Sequence, residues 1–280
     1  NYMKAVVAAA DPYVFFRDPN SPDNAKTQTT VGIIHPGPCE TESGRTGDIW
    51  SFSYNGFKIK TPDLGLTGSS PKITTMFICP QGAMLGVFAH ECYHALGGPD
   101  LYDYGYSGNP WGEWSVMDMG SYNGPNIGDQ PSFVGGHLMY DLDGNLSNGI
   151  NGWLDAKLVY NDSISSIRNG DGVYTVAPLD SAGEYRASNP TSGIRLWRVR
   201  NNNFRDSSEL FFVENRRKTP PYEVGLPEEG LIITHINTRM VGSGVNFNGG
   251  PPAVAYYYSW VEQPGINPNN AYAIGDTNYN

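Results

Sequence analysis

The pentapeptide His90-Glu91-Cys92-Tyr93-His94 sets two imidazoles four residues apart, with a carboxylate directly after the first. On a helix, residues four apart lie on one face about a turn apart, so both rings can approach one metal ion. Zinc accepts neutral histidine nitrogens, and a hydrolytic site keeps three protein ligands plus an open position for water. Asp100, ten residues after His90, is the expected third ligand. Gly97-Gly98-Pro99 breaks the helix between them, and glycine lets the chain double back. Glu91 is then placed to take a proton from the activated water and pass it to a leaving amine. That chemistry is metal-assisted hydrolysis.

Three fixed positions also arise by chance, so the elements that must position them decide the weight of the motif. From Gly82 to Leu96, apolar residues recur every three to four positions while His90, Glu91 and His94 fall on another side, which predicts an amphipathic helix. Cys92 is about 200° around that helix from His90 and is expected to face the core as an inert thiol. Upstream, residues 2 to 10 read as a short helix stopped by Asp11-Pro12, and Arg17 to Thr29 as a loop. Thr30 to His35 and Ile73 to Cys79 are buried-strand candidates, each closed by proline. Residues 101 to 131, rich in Gly, Tyr, Asn, Asp and Trp, read as long ordered loops around the second half of a site.

Beyond Trp153 the pattern becomes one of short strands: Val173 to Ala177, Ile194 to Val199, Leu210 to Val213, Leu231 to Ile236 and Ala253 to Val261. The fold class expected is α+β, with a catalytic region over 1–155 and a β-rich region over 156–280 packed on it or continuous with it. The 280 residues suffice for a large core, and 12% aromatic content argues against disorder. With 28 Asp+Glu against 18 Lys+Arg, no field attracts nucleic acid or an anionic membrane. The most apolar stretch is broken by polar residues, so no membrane span is expected. Three cysteines without CxxC spacing exclude a zinc knuckle and allow one bridge at most. The start at Asn1, with no basic-then-apolar leader, reads as a form from which a signal or pro-segment has been removed. Abundant turn residues with little lysine favour an extracellular protein.

The strings HECYHALGGPDLYD (90 to 103) and WGEWSVMDMGSYNG (111 to 124) resemble the immune inhibitor A-type metallopeptidases, relatives of the metzincin zinc endopeptidases. Upstream, VGIIHPGPCETESGRTGDIWSF (31 to 52) is similar to the family's strand and Trp-containing stretch, although Pro36 stands where the family commonly has Ala. Downstream, GINGWL (149 to 154), ELFFVENRR (209 to 217) and GLIITHIN (230 to 237) are similar to its later β segments. The resemblance implies a metzincin-like peptidase domain with a mixed sheet and an active-site helix. It implies a secreted endopeptidase made with an N-terminal pro-segment and acting on extended polypeptides. It further implies that Met117 is the methionine of the turn beneath the metal; without it, Met117 reads as an ordinary core residue. Asp100 stands where most metzincins carry a third histidine, as in the snapalysin type. Glu214 is the rival third ligand, and an ion pair with Arg216 or Arg217 is its plainer reading.

Tyr102 and Tyr122 could donate a hydrogen bond to a tetrahedral oxyanion. His35, His137 and His235 read as structural histidines, with a site-facing role open for His235. Asp141, Asp143 and Asn145 cluster oxygen donors that could take calcium, but the EF-hand spacing is absent and a polar turn is favoured. The Asp18 to Asn24 loop is a weaker case, and the aromatic run Tyr256 to Trp260 reads as strand packing. The expected activity is peptide-bond hydrolysis by a zinc-activated water with Glu91 as general base. The rival is a secreted β-rich binding or adhesion module with a structural or vestigial metal site, which would have no need of Glu91.

Overall fold

The β-branched runs around Ile33 and Ile78 become paired strands in the computed structural model of the chain. The structure describes residues 2–10, 28–60, 72–96, 98–104, 109–136, 138, 164–167, 176, 178, 196–199, 209–237 and 259–261. His137, the Asp18 to Asn24 loop, Asp141, Asp143, Asn145, residues 149–154 and Tyr256 to Tyr258 lie outside the described residues.

The chain divides into two compact units, Asn1–Ala83 with Glu91–Ala95 and Met84–His90 with Leu96–Asn280. In the first, helix α1 (Tyr2–Ala10) precedes strand β1 (Gln28–His35), the short helix α2 (Glu40–Ser43), and strands β2 (Phe52–Lys60) and β3 (Lys72–Pro80). The order is β1-β3-β2, with β1 parallel and β2 antiparallel to β3, so the sheet is mixed. Ile33, Ile59, Ile73, Met76 and Ile78 form its core, with Val6, Val31 and Phe52 against them. A register slip between Thr29 and Thr30 skips Thr74, which puts Ile73 on the same face as Met76 and Ile78 despite the odd spacing. On the other face Gly32 pairs with Phe77, and a Cβ at Gly32 would meet the Phe77 ring at 2.5 Å.

Two elements here escape a reading from local pattern. β2 carries Asn55-Gly56, which looks like a turn and is instead absorbed as a register shift between Asn55 and Ile59. α2 is a single turn. Cys39, Cys79 and Cys92 are free thiols. Burial, with the Glu91 carboxylate adding to it, pushes the Cys79 thiol up to about 12, so it stays protonated.

Helix α3 (Leu85–Ala95) carries the motif and contributes residues to both units. Its exposed stripe holds Leu85 and Cys92, seven residues apart, while Glu91, Tyr93 and Ala95 are buried. Cys92 therefore faces outward, and the expectation that it faces the core is corrected. His90 and His94 lie on the side away from that stripe and are partly buried. At its start Gly86 donates to Gly128 O at 2.9 Å, and a Cβ on Gly86 would lie 1.7 Å from Ser121 O.

In the second unit, β4 (Ile164–Ile167), β5 (Leu196–Val199), β6 (Glu209–Arg216), β7 (Gly230–Asn237) and β8 (Ser259–Val261) form a sheet in chain order. Only β4 and β5 run parallel within it. β4 went unread in the sequence because Ile164-Ser165-Ser166-Ile167 has so little apolar content; most of Val173 to Ala177 falls outside the described residues.

The 101 to 131 segment holds two 3-10 turns, Gly112–Trp114 and Met119–Tyr122. Between them a tight turn over Ser115, Val116, Met117 and Asp118 is braced from several sides. Asp118 accepts from Trp111 N at 3.0 Å, Gly112 N at 2.7 Å and Met119 N at 2.8 Å. Ser115 Oγ accepts from Met117 N at 3.1 Å and donates to Val134 O at 3.0 Å. The Trp111 indole donates to Ser259 Oγ on β8 at 2.9 Å. Below the loop, Arg216 of β6 lies between Glu214 (2.9 Å) and Glu223, and donates to Trp114 O at 2.9 Å. Those two carboxylates in turn accept from Gly136 N and Phe133 N.

Two outcomes follow from these contacts. Gly86→Ala forces the start of α3 off the Ser121 carbonyl and should lower stability by roughly 1–3 kcal/mol, measured by urea unfolding; an unchanged midpoint would refute the contact. Burial pushes the Asp118 carboxyl from its ordinary 3.8 up to about 6, against the pull of its three backbone donors and His90. Its contribution to stability is then present below about pH 4 and lost as pH rises through about 6. In the metal-free chain, the stability advantage over Asp118→Asn should shrink by up to about 3 kcal/mol between pH 4 and 6.5. Growth of that advantage with pH would contradict the raised carboxyl.

Candidate metal centre

His90 and His94 stand one helical turn apart on α3, and the chain beyond the helix brings Asp100 to them. One ligand atom from each of the three lies within 4.8 Å of the others. Asp100 is placed by a main-chain tie, since Leu101 N donates to Met117 O at 2.9 Å and the Leu101 side chain is buried. The His90 ring is placed from the same turn: its Nδ1 lies 2.8 Å from Val116 O. A carbonyl oxygen can only accept, so Nδ1 carries the proton and donates.

That bond decides what the other nitrogen can do. In the neutral ring, Nε2 then holds a lone pair, and it sits 3.0 Å from Asp100 Oδ1. Two lone-pair donors facing each other at this distance call for a proton or a cation between them. Two imidazoles and one carboxylate match the donor set that zinc takes, so the residues fit a divalent metal. A ligating histidine that donates its far N–H to a backbone carbonyl is the usual supporting arrangement.

Glu91, next to the first histidine, is buried. Tyr102 stacks on His90, with ring centroids 6.2 Å apart and planes inclined by 20°. Burial, then the Asp100 carboxylate, drive its phenol far above the usual range, so Tyr102 remains a hydrogen-bond donor at any ordinary pH. Met117 is fully buried in the turn that holds His90 and Leu101. Tyr122 is exposed on its 3-10 turn. Glu214 is buried and directs its carboxylate to Arg216 and to Gly136 N, outside the three-residue group. His235 is buried on β7 and packs against Phe211 of β6, ring centroids 4.1 Å apart. His35 is buried at the end of β1, with Nδ1 2.9 Å from Pro36 O.

Four contributors went unread in the sequence. The Val116 and Met117 carbonyls carry no side-chain signature. Tyr104 donates from its phenol to Asp100 Oδ2, and the only hint was its place four residues on. Asp118, the brace of the turn, is one of many aspartates in a loop-like stretch.

Residues 9–146 match the family described as immune inhibitor A peptidase M6, catalytic domain. Immune inhibitor A of Bacillus thuringiensis subsp. alesti is 37% identical over 114 residues, covering 36% of this chain and 16% of that protein. The pre-pro-metalloprotease PrtV of Vibrio cholerae serotype O1 (strain M66-2) is 47% identical over 57 residues, covering 20% of this chain and 6% of the relative. The matched stretches are thus small parts of much longer proteins. Residues 9–146, with His90, Glu91, His94 and Asp100 among them, are thus similar to the catalytic domain of the immune inhibitor A peptidase M6 family of metallopeptidases.

Proposed function

We propose that the chain is a secreted zinc-dependent endopeptidase with His90, His94 and Asp100 as metal ligands and Glu91 as general base. One observation carries this reading. His90 Nε2 and Asp100 Oδ1 face each other at 3.0 Å while Nδ1 is committed to Val116 O, and His94 joins them. Asp100 is preferred to Glu214 as third ligand because Glu214 is already bonded to Arg216 and Gly136 N. Zinc, when bound, supplies Lewis acidity that polarises a scissile carbonyl and acidifies water.

The chain's own groups perform the remaining steps. Glu91 removes the proton from the attacking water and returns it to the departing amine. Tyr102, held protonated beside His90, offers its hydroxyl to the oxyanion. Met117 serves as the floor of the turn that fixes the ligand geometry, in the manner of a metzincin-like domain over 1–155, with a β-rich region over 156–280 beyond it. The substrate class is polypeptide. A removed pro-segment and an extracellular location agree with the pre-pro-metalloprotease among the relatives. Among the described residues no helix is long and apolar enough to cross a membrane.

The test is metal content together with cleavage of a denatured protein. Glu91→Gln should keep its zinc and lose about 10²- to 10⁴-fold in rate. His94→Ala should lose the metal itself, and chelation of the parent should abolish cleavage until zinc is restored. A parent chain that holds zinc but cleaves nothing, or a Glu91→Gln variant as fast as the parent, would overturn the assignment.

A further inference from the structure

Asp100 presents its two carboxylate oxygens to different partners. Oδ1 faces His90 Nε2 at 3.0 Å, and Oδ2 accepts the hydroxyl of Tyr104. The Tyr104 ring leans on Tyr102, centroids 4.9 Å apart at 44°, and Tyr102 in turn stacks on His90. Two tyrosines therefore bracket the His90–Asp100 pair: Tyr104 bonds the carboxylate through Oδ2, and Tyr102 backs the imidazole while its hydroxyl is also hydrogen-bonded to Asp100 and Tyr104. Asp100 is only 9% exposed whereas Tyr104 is 47% exposed. The phenol thus reaches inward from a ring that stays half in solvent.

This division of labour matters for coordination. A carboxylate can offer a metal one oxygen or two, and a two-oxygen grip would fill the position that hydrolysis keeps open. A hydrogen bond into Oδ2 occupies one of the lone pairs of that oxygen and opposes rotation of the carboxylate about its Cβ–Cγ bond. We infer that Tyr104 is a positioning residue that holds Asp100 as a one-oxygen ligand. The inference rests on the metal-site reading given above. It concerns a residue that touches neither the metal nor the reacting atoms, and one that the HExxH spacing does not include.

The experiment is zinc affinity by competition against a fluorescent chelator, on the chelator-stripped chain, with the cobalt(II) form as a spectroscopic probe. Tyr104→Phe removes one hydroxyl from a half-exposed ring. It should weaken zinc binding about 10- to 100-fold. Its cobalt visible bands should also lose intensity, as a fifth donor oxygen enters. In an Asp100→Ala background the same change should cost nothing further, because its effect passes through that carboxylate. Unchanged affinity and an unchanged cobalt spectrum in Tyr104→Phe, with His94→Ala still losing metal, would overturn the inference and leave the metal site standing. An equal loss in the Asp100→Ala background would overturn it as well. Zinc binding that ignores His94→Ala would bring down the site reading and the inference together.

Discussion

Two neighbouring main-chain carbonyls support the candidate metal centre: Val116 O accepts the His90 imidazole, and Met117 O accepts the Leu101 amide beside Asp100. A ligand on a helix and a ligand beyond it would otherwise move independently, since a glycine-proline break separates them. Tying both to one turn converts two loose positions into one geometry. Side chains alone could not do this so economically, because each would add rotamers of its own to be frozen. The turn is in turn fixed by Asp118 and Ser115, whose bonds go to backbone groups on both sides of it.

Helix α3 meets this geometry at the expense of the ordinary amphipathic arrangement. Its imidazoles are partly buried and Glu91 is buried, while Leu85 and Cys92 are given to water. Enclosing polar groups costs free energy unless they find partners, which is the role of the Val116 carbonyl and of the facing Asp100. The start of the helix approaches the Ser121 carbonyl so closely that only glycine fits at position 86. Packing of this kind leaves the helix little room to rotate about its axis.

Much of the first unit could be read from pattern: α1, β1 and β3 fall within a residue or two of their expected limits. β2 could not, because its Asn55-Gly56 imitates a hairpin turn and the register shift that absorbs it is a property of the pair, not of either strand. The cluster of His90, His94 and Asp100 was legible because helical periodicity and a glycine break constrain it strongly. What surrounds it was not. Carbonyl acceptors belong to every residue alike, so nothing marks Val116 or Met117 in advance. Cys92 was misread for a related reason: apolar character predicts the inner face of a helix only when that helix has no site to enclose.

Beneath the loop, Arg216 and its two glutamates are each about 1% exposed. Dissolved ions weaken charge pairs by gathering around them, and they cannot gather where water does not reach. The anchorage of the loop to β6 is therefore much less sensitive to ionic strength than a surface pair. The same foundation would hold in dilute buffer and in brine, while charge pairs on the outer surface came and went with the salt.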